Sequence, residues 1–265
     1  MSVYDSTLIL IYLGTVAFLF GAVMGSFLNC AAYRISHGQS FLRGRSKCPE
    51  CDHTLGVLDL FPIFSWLFLR GRCRYCKKKI PVRYFLTELF FAFVTLGALL
   101  RFDLTLICLR NYIFICCLFC LSLVDLESFI IPNGCIIISV AAWVLCLPFS
   151  GATLADAGLS VLAGVVYGGG LLLISLLLDK ILHKESLGGG DVKLFFAVGL
   201  YTGLVGGMFA LMLACVLGLV FALVRKKTKK GEEQVPFGPA IAASAALILF
   251  FGQPLINAYV SLLGF

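Results

Sequence analysis

The sequence predicts an all-α polytopic membrane protein with about eight transmembrane helices and one small polar loop domain. Of its 265 residues, 60% are hydrophobic and only 13% are charged, with a mean hydropathy of +1.01. A soluble domain carries roughly 25% charged residues, so this composition excludes a globule with a polar surface. The apolar residues also fall into long runs, and a helix needs roughly 20 such residues to cross the hydrocarbon core.

Eight apolar runs predict the transmembrane helices in order. They cover residues 8–30, 84–100, 104–124, 135–149, 154–178, 194–207, 208–224 and 235–265. The first run has no basic segment and no small-residue cleavage site, so it predicts a retained helix instead of a signal peptide. The fourth, sixth and seventh runs are marginal for a span of roughly 20 residues, and the sequence leaves the ends of the sixth and seventh helices open.

Basic residues predict the orientation of the chain. With eight spans, all Lys and Arg residues except Arg101 and Arg110 fall on one side of the membrane. The positive-inside rule makes that side cytosolic and places both termini outside. The net charge of +7 arises from these loops, which favour an anionic lipid bilayer as partner and give no reason to expect nucleic acid.

The long polar loop between the first two runs contains two paired cysteines. The motifs CPEC and CRYC are separated by 21 residues, and the spacing is typical of a four-thiolate zinc site formed by Cys48, Cys51, Cys73 and Cys76. Two disulfides are the alternative, but structural disulfides are rare on the cytosolic side. Four thiolates leave no open position for water, so the predicted zinc is structural. The loop is therefore a small cytosolic zinc-binding domain that depends on its metal.

The remaining cysteines and the histidines suggest no further catalytic site. Eight cysteines lie in or beside apolar runs without paired spacing and are predicted to be small buried hydrophobes. The three histidines form neither an HExxH motif nor a Ser-His-Asp arrangement. The predicted organisation is a first transmembrane helix at 1–35, the zinc-binding domain at 36–83 and a membrane-embedded core with seven further helices at 84–265.

Two aspartates are the strongest functional candidates. Asp125 lies at the cytosolic end of the third run and Asp191 at the start of the sixth, and an ionisable group near hydrocarbon costs at least ~2.5 kcal/mol. Pro132 and the glycines at 188–190 interrupt regular helix beside them, which lets an extended peptide approach. Two converging carboxyls, one protonated and one ionised, suit peptide-bond hydrolysis through an activated water.

Each acid also has a simpler interpretation. Asp125 is a helix-end carboxylate in contact with water on that view, and Asp191 stabilises the positive N-terminal end of its helix. Glu127 is close enough to Asp125 to compete for the catalytic role. Two residues along a helix point to a different face, so we favour Asp125.

The ordered motifs resemble those of the type IV prepilin peptidases, the bacterial leader peptidases of the GxGD aspartic class, over nearly the whole chain. The matching segments are GSFLNC at 25–30, RSKCPEC at 45–51, FPIFSW at 61–66, RGRCRYC at 70–76, Asp125 with Ile131-Pro132, GGGDVKL at 188–194 and PFGP at 236–239. Two departures occur: Asn133 stands where the family often has an acidic residue, and IPVRY at 80–84 places its proline earlier than usual.

The resemblance implies an enzyme of the bacterial inner membrane that acts on its cytosolic face. Asp125 and Asp191 would be the catalytic pair that cleaves type IV prepilins or type II secretion pseudopilins. Cleavage would follow the glycine that ends a short basic leader and precede a hydrophobic helix. Many members also methylate the new N-terminal amine with S-adenosylmethionine, and the residues that bind this cofactor cannot be assigned from the sequence.

Three alternatives remain open from the sequence. The first is a peptidase without methyl transfer, and the second is a zinc-stabilised membrane scaffold without chemistry. The third is a proton-coupled transporter, whose carboxylates are expected near the bilayer midplane between internal repeats. Asp125 and Asp191 lie instead at one membrane edge, and no internal repeat is visible.

Overall fold

The computed structural model describes residues 7–40, 44–48, 50–183, 187–228 and 235–262. Eight α-helices occur in these ranges: α1 Thr7–Ser36, α2 Phe64–Phe68, α3 Val82–Phe102, α4 Leu106–Ser128, α5 Asn133–Cys146, α6 Leu154–Leu182, α7 Gly189–Thr228 and α8 Gly238–Leu262. Short 3-10 turns lie at Val57–Asp59 and Leu147–Phe149. Among the residues described, extended pairing is limited to two isolated antiparallel bridges.

The helix lengths confirm a multi-pass, all-α membrane protein. Within the ranges given above, six helices are long and apolar enough to span a bilayer, namely α1, α3, α4, α6, α7 and α8. Helix α5 is apolar but shorter, and with its following 3-10 turn it matches the fourth predicted run. The chain forms two compact units, Met1–Leu104 and Thr105–Phe265.

Helix α7 is interrupted at Gly203, which has φ 69° and ψ −173°. Beyond the break, Gly206 packs against Ile248 and Gly218 packs against Phe237, so the second half of α7 runs antiparallel to α8. The N-termini of α7 and α8 lie at the same end of the second unit. Because the second half of α7 is antiparallel to α8, it runs back toward the N-terminus of α7. The 40-residue element is thus a helical hairpin that accounts for the sixth and seventh predicted runs. The turn lies at Gly203, earlier than the predicted boundary after residue 207.

Small residues bring α1 and α3 together in the first unit. Gly21 and Gly25 are one turn apart on α1 and face α3, where a Cβ on Gly25 would lie 3.0 Å from the Cβ of Phe91. This is the GxxxG arrangement by which membrane helices approach closely. Ile63 is buried beside the same pair of helices, and its amide donates a 2.8 Å hydrogen bond to the buried Glu88 carboxylate. The middle of the polar loop is therefore anchored on this helix pair.

A second glycine contact joins α6 and α7 in the other unit. Gly164 and Gly168, again four residues apart, lie against Phe196 of α7, and Gly199 lies against the backbone of Ala163. A Cβ at Gly199 would meet backbone atoms at 2.7–2.8 Å, so only glycine fits there without a shift. This packing fixes the first half of α7, which begins with the segment that carries Asp191.

Candidate functional site

Asp125 lies in the last turn of α4 and is only 5% exposed. Its Oδ2 accepts a 2.8 Å hydrogen bond from the amide of Gly238, the first residue of α8. A Cβ at position 238 would lie 2.7 Å from that oxygen, so the close approach depends on glycine. The N-terminus of α8 carries a positive partial charge and therefore suits a carboxylate at this position.

Asp191 lies in the first turn of α7 and is half-buried. It interacts electrostatically with Asp125, although the two residues are 66 positions apart in the chain. The amide of Asp191 donates to the carbonyl of Gly188 at 3.0 Å, and the adjacent Gly190 packs against Ile131. The fold thus places the two predicted acids at the ends of α4 and α7, within range of an electrostatic interaction.

A further polar contact at this end was not anticipated from the sequence. Lys193 Nζ donates to Asn133 Oδ1 at 3.0 Å, which joins the first turn of α7 to the first turn of α5. Position 133 is the one that departs from the acidic residue common in the resembling family. Its amide oxygen still accepts a hydrogen bond from a lysine, as a carboxylate would.

Glu127, the competing acid, lies on the exposed side of α4. The two-residue offset from Asp125 therefore separates a buried from an exposed carboxylate. Chemistry that excludes bulk water is better served by the buried group.

The four cysteines of the polar loop converge on one point. The Sγ atoms of Cys48, Cys51, Cys73 and Cys76 all lie within 4.8 Å of one another. Cys48 Sγ and Cys76 Sγ are 3.9 Å apart, close to the separation of about 3.8 Å that tetrahedral Zn–S bonds of about 2.3 Å produce. The donor set and its geometry fit a zinc ion.

The two cysteine motifs share backbone hydrogen bonds, a positive φ and a bridge, repeated at an offset of 25 residues. Cys48 N donates to His53 O at 3.0 Å, and Cys73 N donates to Lys78 O at 2.9 Å. The residue after each second cysteine has positive φ, 53° at Asp52 and 60° at Lys77. Each motif is closed by an isolated bridge at the same relative position. The loop therefore presents two equivalent turns whose thiols face each other.

Backbone hydrogen bonds favour the thiolate form at one of these four cysteines, Cys73. The amide of Cys76, opposed by burial but assisted by the amide of Tyr75, lowers the pKa of Cys73 to about 7. Metal ligation requires the thiolate form, so this environment favours binding.

Two ion pairs connect the second cysteine turn to other parts of the polar loop. Arg74 Nε lies 2.6 Å from Asp59 Oδ1, and Lys78 pairs with Glu50. Burial opposes the charge of Asp59, but hydrogen bonds from the Gly56 amide and Arg74 outweigh it and lower the pKa of Asp59. The pairs connect the second cysteine turn to the 3-10 turn and to the first cysteine turn.

All twelve cysteines are free thiols. Of the eight outside the loop, Cys116, Cys117, Cys120 and Cys135 are buried as predicted. The prediction was wrong for Cys215, which is exposed on α7, because an apolar surface in contact with lipid holds small hydrophobic side chains as readily as a core does. Several basic residues of the predicted cytosolic loops lie outside the described residues, namely Arg43, Lys184, Lys229 and Lys230.

Two family models match the chain. Residues 19–102 match the bacterial peptidase A24 N-terminal domain, and residues 112–223 match the type IV leader peptidase family. The two matches fall within the first and second compact units respectively.

Curated relatives match over most of their length. The prepilin leader peptidase/N-methyltransferase of Bacillus subtilis (strain 168) is 31% identical over 94% of this chain and 98% of the relative. The type 4 prepilin-like proteins leader peptide-processing enzyme of Escherichia coli O78:H11 is 33% identical over 87% of this chain and 91% of the relative. A prepilin leader peptidase/N-methyltransferase of Burkholderia pseudomallei (strain 1026b) is 31% identical over 90% of this chain and 85% of the relative. No solved structure matches the chain.

The fold and the site define a polytopic helical membrane protein with two carboxylates at one end of its helices. The full-length similarity adds the family. The chain belongs to the type IV leader peptidase family.

Proposed function

We propose that this protein removes the basic leader of type IV prepilins or type II secretion pseudopilins, after the glycine that ends the leader. Asp125 and Asp191 are the proposed catalytic pair. The proposal is supported by the electrostatic interaction between these two acids, at the ends of α4 and α7, in a chain of a leader peptidase family. Relatives over most of the chain carry the name prepilin leader peptidase.

The proposed reaction uses the two carboxyls in different protonation states. Like charges at short distance do not ionise together, so the pair shares a proton. The ionised carboxyl takes a proton from the attacking water, while the protonated one donates to the carbonyl oxygen of the scissile bond. The tetrahedral intermediate then returns that proton and collapses, the C–N bond breaks, and the leaving amine takes the proton that came from the water. Gly238 holds one oxygen of Asp125 in place through its amide, which leaves the other oxygen for water or substrate.

A dyad assignment is tested with purified protein and a purified prepilin. We expect Asp125→Asn and Asp191→Asn each to lower the rate of leader removal by at least about 10³-fold, because each removes one member of a unit that acts together. Glu127→Gln is the matched control and keeps the wild-type rate within about threefold, a change of less than ~0.7 kcal/mol in barrier. Wild-type cleavage by either folded aspartate variant would refute the pair.

The second proposed activity is methylation of the new N-terminal amine. Relatives are named N-methyltransferase, and S-adenosylmethionine supplies the methyl group in the reaction that the family resemblance implies. Labelled S-adenosylmethionine is expected to mark wild-type cleaved pilin. If label stays absent while the leader is removed, the protein is a peptidase only.

The proposed metal is a structural zinc ion bound by Cys48, Cys51, Cys73 and Cys76. Four thiolates fill a tetrahedral shell, so the ion holds the loop together and has no position for a reacting water. The paired turns would bring two ligands each, and the loop between them would fold on binding.

The proposed location is the bacterial inner membrane with the dyad facing the cytosol and both termini outside. Support comes from the Lys and Arg distribution, in which only Arg101 and Arg110 lie on the outer side. The division into a first helix at 1–35, a cytosolic domain at 36–83 and a membrane core at 84–265 belongs to this proposal.

A further inference from the structure

An apolar trough of about 700 Å³ opens on the surface of the second unit between α5, α6 and α7. On α5 it is lined by six residues between Ile136 and Leu145, whose nine helical steps span about 14 Å along the helix axis. Lys193 is the one charged residue among those that line it. The trough is therefore elongated and suited to a hydrocarbon surface.

One end of the trough is formed by Val192 and Lys193, the two residues that directly follow Asp191. The amine of Lys193 is held by Asn133, one turn before Ile136 and Ile137 on α5. From this polar end the wall continues along α5 as an apolar surface. One end of the trough thus adjoins the beginning of α7, where Asp191 lies.

The wall of the trough formed by α6 has little side-chain bulk because it contains glycine. Gly168 is packed against Phe196, whereas Gly169 faces the trough and a Cβ there would have only Val165 of its own helix nearby, at 3.9 Å. Small residues on a membrane helix let a second helix backbone approach closely. A flexible lipid chain can pack between larger side chains, whereas a helix of roughly 10 Å diameter needs a surface of small residues to approach closely.

We propose that this trough is the docking site for the hydrophobic helix that follows the scissile bond of the precursor. The proposal rests on the proposed peptidase function. A chain cleaved at Asp125 and Asp191 continues from the dyad into the bilayer, and the trough is the apolar surface that begins there. Its side chains would read the first turns of the mature segment, while the leader stays on the polar side.

Two adjacent glycines of α6 provide a matched test. Gly169 lines the trough and Gly170 does not, and a Cβ at either position meets no atom closer than 3.9 Å. Leucine is a better helix former than glycine at both sites, so both variants are expected to fold. Gly169→Leu fills the trough, and Gly170→Leu adds the same bulk outside it.

Each variant is assayed with a full precursor and with a peptide that ends a few residues after the scissile bond. We expect Gly169→Leu to raise KM for the full precursor by about tenfold, equivalent to about 1.4 kcal/mol of binding. The short peptide should be cleaved equally by all three proteins, and Gly170→Leu should match wild type on both substrates. An unchanged KM of Gly169→Leu for the full precursor overturns the trough proposal.

A photo-reactive amino acid at Ala141, which lines the trough, supplies a second readout. An uncleavable precursor with its scissile glycine replaced is expected to form adducts at this position. Adducts with lipid alone would assign the trough to lipid and reject the proposal. If wild type cleaves neither substrate, the peptidase function itself fails, which is a separate outcome from loss of the Gly169 effect.

Discussion

The amide of Gly238 is the contact that places Asp125. It belongs to the first residue of α8, whose backbone must pass within hydrogen-bond distance of the carboxylate. A side chain at this position would occupy the space of Asp125 Oδ2. Glycine is thus required by close approach and not by an unusual backbone angle.

We predict that Gly238→Ala lowers kcat for leader removal roughly 10²-fold, because the added Cβ displaces the Asp125 carboxylate by a fraction of an ångström or more. Gly134→Ala is the control, since it also lies at a helix start and a Cβ there meets nothing within 4 Å. Steady-state kinetics on both purified variants, with circular dichroism to verify folding, measure the effect. Equal kcat values for the two variants would contradict a positioning role for Gly238.

Single residues show how far the sequence predicts the site. Asp125 and Asp191 stand out locally, because each is an acid at the edge of an apolar run. The Gly238 amide donates to a residue 113 positions away, and no local pattern relates the two. The bond between Lys193 and Asn133 joins residues 60 positions apart and depends in the same way on helix packing.

At the scale of elements, the polar loop is organised by two equivalent cysteine turns. Their shared hydrogen bonds and positive φ values place two thiols each at the same relative position. The grouping of the four cysteines could be predicted from spacing, whereas the repeat could not, because the sequences around the two turns differ.

We predict about one zinc ion per wild-type chain and nearly none in Cys48→Ser or Cys73→Ser. Each substitution removes one of four thiolates from a closed tetrahedral shell and should also expose the loop to limited proteolysis. Cys215→Ser is the control, since this exposed cysteine lies on α7. Elemental analysis decides the matter: one zinc retained by Cys48→Ser would rule out the four-thiolate site.

The hairpin of α7 depends on the backbone of Gly203. Its φ and ψ values lie in a region that is essentially restricted to glycine, so Gly203→Ala should destabilise the protein by about 1–3 kcal/mol. Gly158→Ala is the comparison, because Gly158 lies within α6 and a Cβ there has open space. Thermal unfolding in detergent is the measurement. A melting temperature of Gly203→Ala at or above that of Gly158→Ala would show that alanine is not strained at position 203.

At the scale of the whole molecule, the order of the helices could be predicted from the hydrophobic runs more completely than from any motif. Each of the eight predicted runs coincides over most of its described residues with a helix, because a backbone in hydrocarbon must satisfy its own hydrogen bonds. The position of the turn within α7 could not be predicted, since residues 194–224 are apolar throughout and contain several glycines.

We predict that alkaline phosphatase fused to the C-terminus is active and that a fluorescent protein fused there is dark, because the positive-inside rule places that terminus outside. Fusions within the loop at 36–83 should behave in the opposite way. Fluorescence from the C-terminal fusion, together with phosphatase activity from the loop fusion, would show that the predicted orientation is wrong.

The hairpin also has a consequence for biogenesis. Residues 189–202 form a helix of about 21 Å, too short to span a hydrocarbon core of about 30 Å by themselves. Synthesis delivers the second half directly afterwards, so the two halves leave the translocon as one inserted unit. The contact between Asp125 and the Gly238 amide therefore forms only after nearly the whole chain has been translated.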